Sequence, residues 1–193
     1  MEELIGLWLP ILVATAATWV ASALAWTVLP HHKAEFKRIP DEGRLEETVK
    51  ALDLSPGVYL FPWCDPEKMK DAGFKERLKQ GPTGMLSIWG GMTNMGPAMA
   101  LTALYFFVSS VLIAYLLTLA YEPGARYLDV FQMASTAGIL TFCFASIAND
   151  IWFQKPKRWM LTNFLDGVAY ALILAGIFGW LWPEGAQPPV PGV

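Results

Sequence analysis

The chain has 193 residues, of which 54% are hydrophobic and 16% charged, with nine tryptophans and a formal net charge of −3. Soluble domains carry about 25% charged residues, so this composition argues against a disordered chain, a coiled coil or a soluble enzyme. The lack of a basic field argues against nucleic acid as a partner, which leaves the lipid bilayer as the expected environment.

Four apolar stretches appear in chain order: Ile5 to Leu29, Ala98 to Tyr121, Tyr127 to Ala148 and Leu161 to Trp182. Each reaches the roughly 20 residues a helix needs to cross the hydrocarbon layer, and the backbone there must satisfy itself as helix. The first stretch opens with Met1-Glu2-Glu3 and has no basic leader, so an uncleaved span is expected although Ala21 to Ala25 mimics a cleavage site.

Lysines and arginines orient the spans. Of the 14, Arg126 alone falls on one side, and the rest lie between the first and second spans or between the third and fourth. The positive-inside rule places those two segments in the cytoplasm and both termini outside. Trp8, Trp180 and Trp182 then mark the outer ends of the spans, and Trp26, Trp152 and Trp159 the inner ends. Amphipathic rings favour that depth.

Residues 30–97 form a near-neutral cytoplasmic insert. Asp41 is placed to cap a helix running to about Leu52, which Ser55-Pro56-Gly57 stops. Val58 to Phe61 and Met85 to Trp89 read as strands. Asp65-Pro66 reads as the start of a second helix running to about Gln80. Phe36, Phe61, Trp63, Phe74 and Trp89 are the apolar side chains with which so small a unit would lean on the helices. The expected fold is therefore an all-α membrane bundle with a small α/β cap. Its parts are a first transmembrane helix over 1–29, the cap over 30–97, helices 2–4 over 98–183 and a disordered tail over 184–193.

Gly167, Ala171, Ala175 and Gly179 recur every fourth residue along the last span. In lipid, such small residues let backbones approach closely. The stripe leaves open whether the neighbour is another helix of this chain or a second copy. Similar stripes are Ala14, Thr18, Ser22 and Ala25 on the first span, and Ala134 and Gly138 on the third.

Ionisable residues inside a span are costly and mark candidate sites. Asp166 stands out, with Asn163 and Tyr170 on the same helical face. Asn149 and Asp150 close the third span, His31 and His32 follow the first, and Asn94 precedes the second. Polar groups from all four spans are thus expected to converge at the cytoplasmic mouth. The structural alternatives are ion pairs of Asp166 with Lys157 or Arg158, of Asp150 with Lys155 and of Asp129 with Arg126. No metal is expected at His31-His32, because neighbours on a helix point about 100° apart. Cys64 and Cys143 suggest free thiols. No nucleophile elbow or phosphate loop is present, so catalytic residues and cofactors stay unassigned.

Leu29-Pro30-His31-His32-Lys33, Gly57 to Trp63, Gly81-Pro82-Thr83-Gly84, Asn94-Met95-Gly96, Phe164-Leu165-Asp166-Gly167 and Phe178 to Pro183 together carry a resemblance covering residues 28–183. The chain resembles a family of uncharacterised bacterial four-span inner-membrane proteins with a cytoplasmic insert. The resemblance implies a multi-pass protein of the inner membrane and transfers no activity, cofactor or catalytic residue. The functional expectation is a non-enzymatic scaffold or accessory subunit, partnered by other membrane subunits or by itself. The alternative is a small membrane enzyme or ligand-binding protein using the polar mouth. The third reading is an oligomeric transporter or channel.

Overall fold

A computed structural model describes residues 2–185. The elements in chain order are α1 (Glu2–Gly6), α2 (Trp8–Thr27), a 3-10 turn (Pro30–Glu35), α3 (Glu42–Ala51), β1 (Gly57–Phe61), a short 3-10 turn (Lys68–Lys70), α4 (Ala72–Gln80), β2 (Gly84–Ile88), α5 (Met95–Ala120), α6 (Tyr127–Ile139), a π segment (Leu140–Phe144), α7 (Ile147–Trp152) and α8 (Lys157–Trp180). They form two compact units. Arg38–Asn94 is the insert, and the flanking segments make the helical unit. The insert thus starts at Arg38, and the turn before it belongs with the helices. Of the tail expected from residue 184, residues 186–193 lie outside the described residues.

The helical unit holds four helices long and apolar enough to cross a membrane: Trp8–Thr27, Met95–Ala120, Tyr127–Trp152 and Lys157–Trp180. The first is broken before Trp8, where Leu7 donates to the Leu4 carbonyl three residues back. Pro10 supplies the reason. It has no N–H for the Gly6 carbonyl, and its ring crowds that carbonyl. The third span is also interrupted, by the π segment, a departure from the continuous helix expected over 127–148. Outward side chains such as Leu101 and Leu119 are exposed, which suits hydrocarbon better than water.

The small-residue stripes are used inside the bundle. A Cβ at Gly138 would lie 2.8 Å from the Ala171 Cβ, and one at Gly179 would lie 2.8 Å from the Tyr127 ring. One at Gly167 would lie 2.8 Å from both the Phe142 carbonyl oxygen and the Cys143 Sγ. These glycines let α8 close on α6 and on the π segment. On α2, Ala14, Thr18 and Ala25 are buried. The main core gathers Leu7, Ile113, Leu117, Val130, Leu174 and Phe178. A second cluster of Ala25, Phe106 and Tyr170, with Phe142 against it, lies towards the end where the first span finishes and the last begins.

In the insert, Asp41 caps α3 by accepting from the Arg44 amide at 3.0 Å. Strands β1 and β2 pair antiparallel, with Tyr59 opposite Leu86 and Phe61 opposite Gly84. The Phe61 ring covers Gly84, where a Cβ would come within 2.8 Å of it. The second helix departs from expectation. Asp65 accepts from the Trp63 indole at 3.0 Å and pairs with Lys68 at 3.2 Å, so its carboxylate is turned away from capping. Asp71 instead accepts from the Gly73 amide at 3.0 Å and opens α4 six residues further on. Replacing Asp71 by alanine should therefore destabilise the insert by about 1 kcal/mol, the usual value of an N-cap. Asp65→Ala should leave the helix intact. Circular dichroism through thermal unfolding of both variants checks this.

Candidate functional site

The turn Pro30–Glu35 begins where α2 ends, because Pro30 cannot continue a helix from the residues before it. It carries His31, His32 and Glu35. Arg158, Thr162, Asp166 and Tyr170 recur at fourth positions along one face of α8, which puts them on successive turns. The two elements meet through these side chains. His31 Nε2 lies 3.0 Å from Asp166 Oδ1, and His32 Nε2 lies 2.8 Å from Asp166 Oδ2. The other nitrogen of His32, Nδ1, lies 2.9 Å from the Glu35 carboxylate. Thr162 donates its hydroxyl proton to Glu35. Arg158 reaches the His31 carbonyl at 3.4 Å.

The packing around this network is close. Trp26 stacks on the His32 ring at 3.8 Å with planes 9° apart. Trp159 meets Trp26 and Phe36 edge-on. The Glu35 side chain is fully shielded and His32 is 4% exposed, while the His31 side chain is 29% exposed at the rim.

Both nitrogens of His32 face a carboxylate, and ionised carboxylates only accept. The ring therefore donates from both sides as an imidazolium. Burial alone would lower its pKa, but the hydrogen bonds to Glu35 and Asp166, with their charges, outweigh burial and hold it above the ordinary value. Burial would likewise raise the Glu35 pKa. The hydrogen bonds from Thr162 and His32, together with the two nearby imidazoles, carry it below the usual carboxylate range instead.

Behind Asp166 lies a partly open cavity of about 270 Å³ between the long helices. Ser22, Thr102, Ser146, Asn163, Asp166 and Tyr170 supply its polar lining, one or more from each of the four spans. The Tyr170 hydroxyl is buried and forms no well-shaped hydrogen bond within the described residues, although Ser22 is near enough to interact with it. Buried hydroxyls normally have partners, and Ser22 is the polar group beside this one.

The expected convergence of four spans is therefore present, partly through other residues. Asp166, His31 and His32 are joined, and Asn163 lines the cavity. Asn149 is exposed. Asp150 is buried, and no ion pair of its carboxylate is formed among the described residues; the expected partner, Lys155, places its ammonium 5.3 Å from the Trp159 ring centre. Asn94 belongs to the insert unit. From α5 the cavity is lined by Thr102, and from the third long helix by Ser146 after the π segment rather than by Asn149 or Asp150. Asp166 pairs with the two histidines rather than with Lys157 or Arg158. The Arg126–Asp129 pair forms as expected, at 2.8 Å.

The expectation that adjacent histidines cannot address one centre is also corrected. They stand on a 3-10 turn beyond the end of α2, and the carboxylate they reach offers two oxygens, one to each ring. His31, His32 and Asp166 each present a donor atom within 4.8 Å of the others, so these three could hold a metal ion. Glu35, Thr162 and Trp26 were missed at the sequence level. The His32–Glu35 spacing of three and the Arg158-Thr162-Asp166 ladder were the available signals.

Comparison with known proteins finds no matching family model, no curated relative and no similar solved structure.

Proposed function

We propose that this chain is a multi-pass membrane protein that binds a small polar ligand in the cavity behind Asp166. The observation that carries this reading is the double use of Asp166, which lines the cavity and also anchors both histidines. A carboxylate placed in an apolar bundle is costly, and this one is held in position by groups that leave one side facing open space. The Tyr170 hydroxyl, beside Ser22 on the same wall, gives that space a second polar group. The volume suits a small polar molecule, since drug-sized pockets begin at about 300 Å³.

The distribution of lysine and arginine supports an inner-membrane orientation with this mouth in the cytoplasm. The scaffold expectation rests on the small-residue stripes, the insert and the lack of a catalytic motif, and the first of these is occupied within the bundle. The ligand reading is therefore preferred to the scaffold reading.

The test is native mass spectrometry of the full chain released from mild detergent. The wild type should carry a bound small molecule. Asn163→Leu, which fills the cavity from its wall, should lose it while keeping its thermal transition. A wild type that releases only a stoichiometric protein partner, or nothing, would return the chain to the scaffold reading.

A further inference from the structure

We propose that His31 Nε2, His32 Nε2 and an Asp166 oxygen form a site for a divalent first-row transition metal of the zinc type, with one position open towards the cavity. This rests on the reading of Asp166 as part of a ligand site and names what the histidine side of that site takes.

The donor set is the first support. Two imidazole nitrogens and a carboxylate are a ligand combination that borderline metals favour. The spacing is the second. Around a tetrahedral ion with bonds of about 2.0–2.1 Å, ligand atoms sit about 3.3 Å apart. Here the His–Asp separations are 2.8 and 3.0 Å and all the donors lie within 4.8 Å, so small side-chain rotations make room. Each Nε2 gives up its proton to solvent as its lone pair passes to the metal.

The third support is the outer layer. Metal-bound histidines usually donate their other N–H to a carboxylate, which fixes the tautomer and the ring plane. Glu35 does this for His32 Nδ1, and Thr162 holds Glu35. Trp26 fixes the same ring from its face. The fourth is charge, since Asp166 and Glu35 together balance one divalent cation. The cavity behind Asp166 leaves room for a water or a small molecule at the fourth position, as open zinc sites do.

The experiment uses the full chain in detergent, purified with a tag free of histidine, stripped with chelator and returned to Zn²⁺ or Co²⁺. Elemental analysis after gel filtration should find one zinc per chain. Co²⁺ should give the intense visible bands of a four-coordinate site. His31→Ala, at the rim and tolerant of folding, should abolish stoichiometric binding. Glu35→Gln, which removes the carboxylate behind His32 and leaves all three donor atoms in place, should weaken binding about 10–100-fold. Cys64→Ser should leave it unchanged.

Failure of the folded wild type to retain zinc would overturn the proposal. So would full retention by the His31→Ala/Asp166→Asn double variant, or loss in Cys64→Ser. A small molecule still captured by zinc-free protein, and lost in Asn163→Leu, would show that the metal assignment alone had failed.

Discussion

Asp166→Ala should lower the stability of the helical unit by about 3 kcal/mol at neutral pH, at the lower end of the range for breaking a buried ion pair. The change leaves His31 Nε2 and His32 Nε2 without their shared acceptor. His32 can still donate to Glu35, but a shielded imidazolium would then face empty space on its other side. The Asp166 side chain is 16% exposed, so water offsets part of the cost. Asp166→Asn should fall between wild type and Ala, since an amide keeps one acceptor oxygen and turns a donor towards the second ring. Denaturant unfolding in detergent, with chelator present, measures all three. An Ala variant as stable as wild type would show that the His–Asp contacts carry no stability.

Gly167→Leu should cost more, above about 3 kcal/mol, because it exceeds the overpacking that cores absorb by side-chain shifts. At Gly167 the first added carbon already meets the Phe142 carbonyl at 2.8 Å, and backbone cannot swing aside as a side-chain tip can. Gly167→Ala should therefore cost about 1–3 kcal/mol. Gly176, on the same helix, provides the contrast. Its added carbon would find only the Tyr127 hydroxyl, at 3.9 Å, so Gly176→Ala should be neutral or slightly stabilising through helix propensity. Thermal unfolding of the three variants side by side tests the close approach of α8 to the π segment. Equal effects at the two glycines would contradict that packing.

The architecture was readable because its causes are local. A run of apolar residues without charge has few alternatives to a spanning helix, and Arg126 and Asp129, three apart, pair where spacing puts them. Asp41 caps α3 for the same reason. Asp65 shows where local reasoning stops. It has the composition of a cap, but the Trp63 indole and Lys68 compete for its carboxylate, and Asp71 takes the role. The π segment gave no signal in residue type, because an extra residue in a helical turn is accommodated by the helix packed against it.

The sequence alone determined which residues are costly to bury, where the four long apolar helices run and that polar groups gather at one end of them. It also marked Asp166. Only the tertiary structure decided what Asp166 meets. The distance from His31 to Asp166 along the chain is 135 residues, and no spacing rule crosses it. The partner choice followed from the end of α2, from the 3-10 turn that redirects the two imidazoles and from the glycine that lets α8 approach. Lysine and arginine nearby in sequence lost that competition to histidines held closer in space. Charge can be counted along a chain, but a binding site depends on which charges the packing brings within bonding distance.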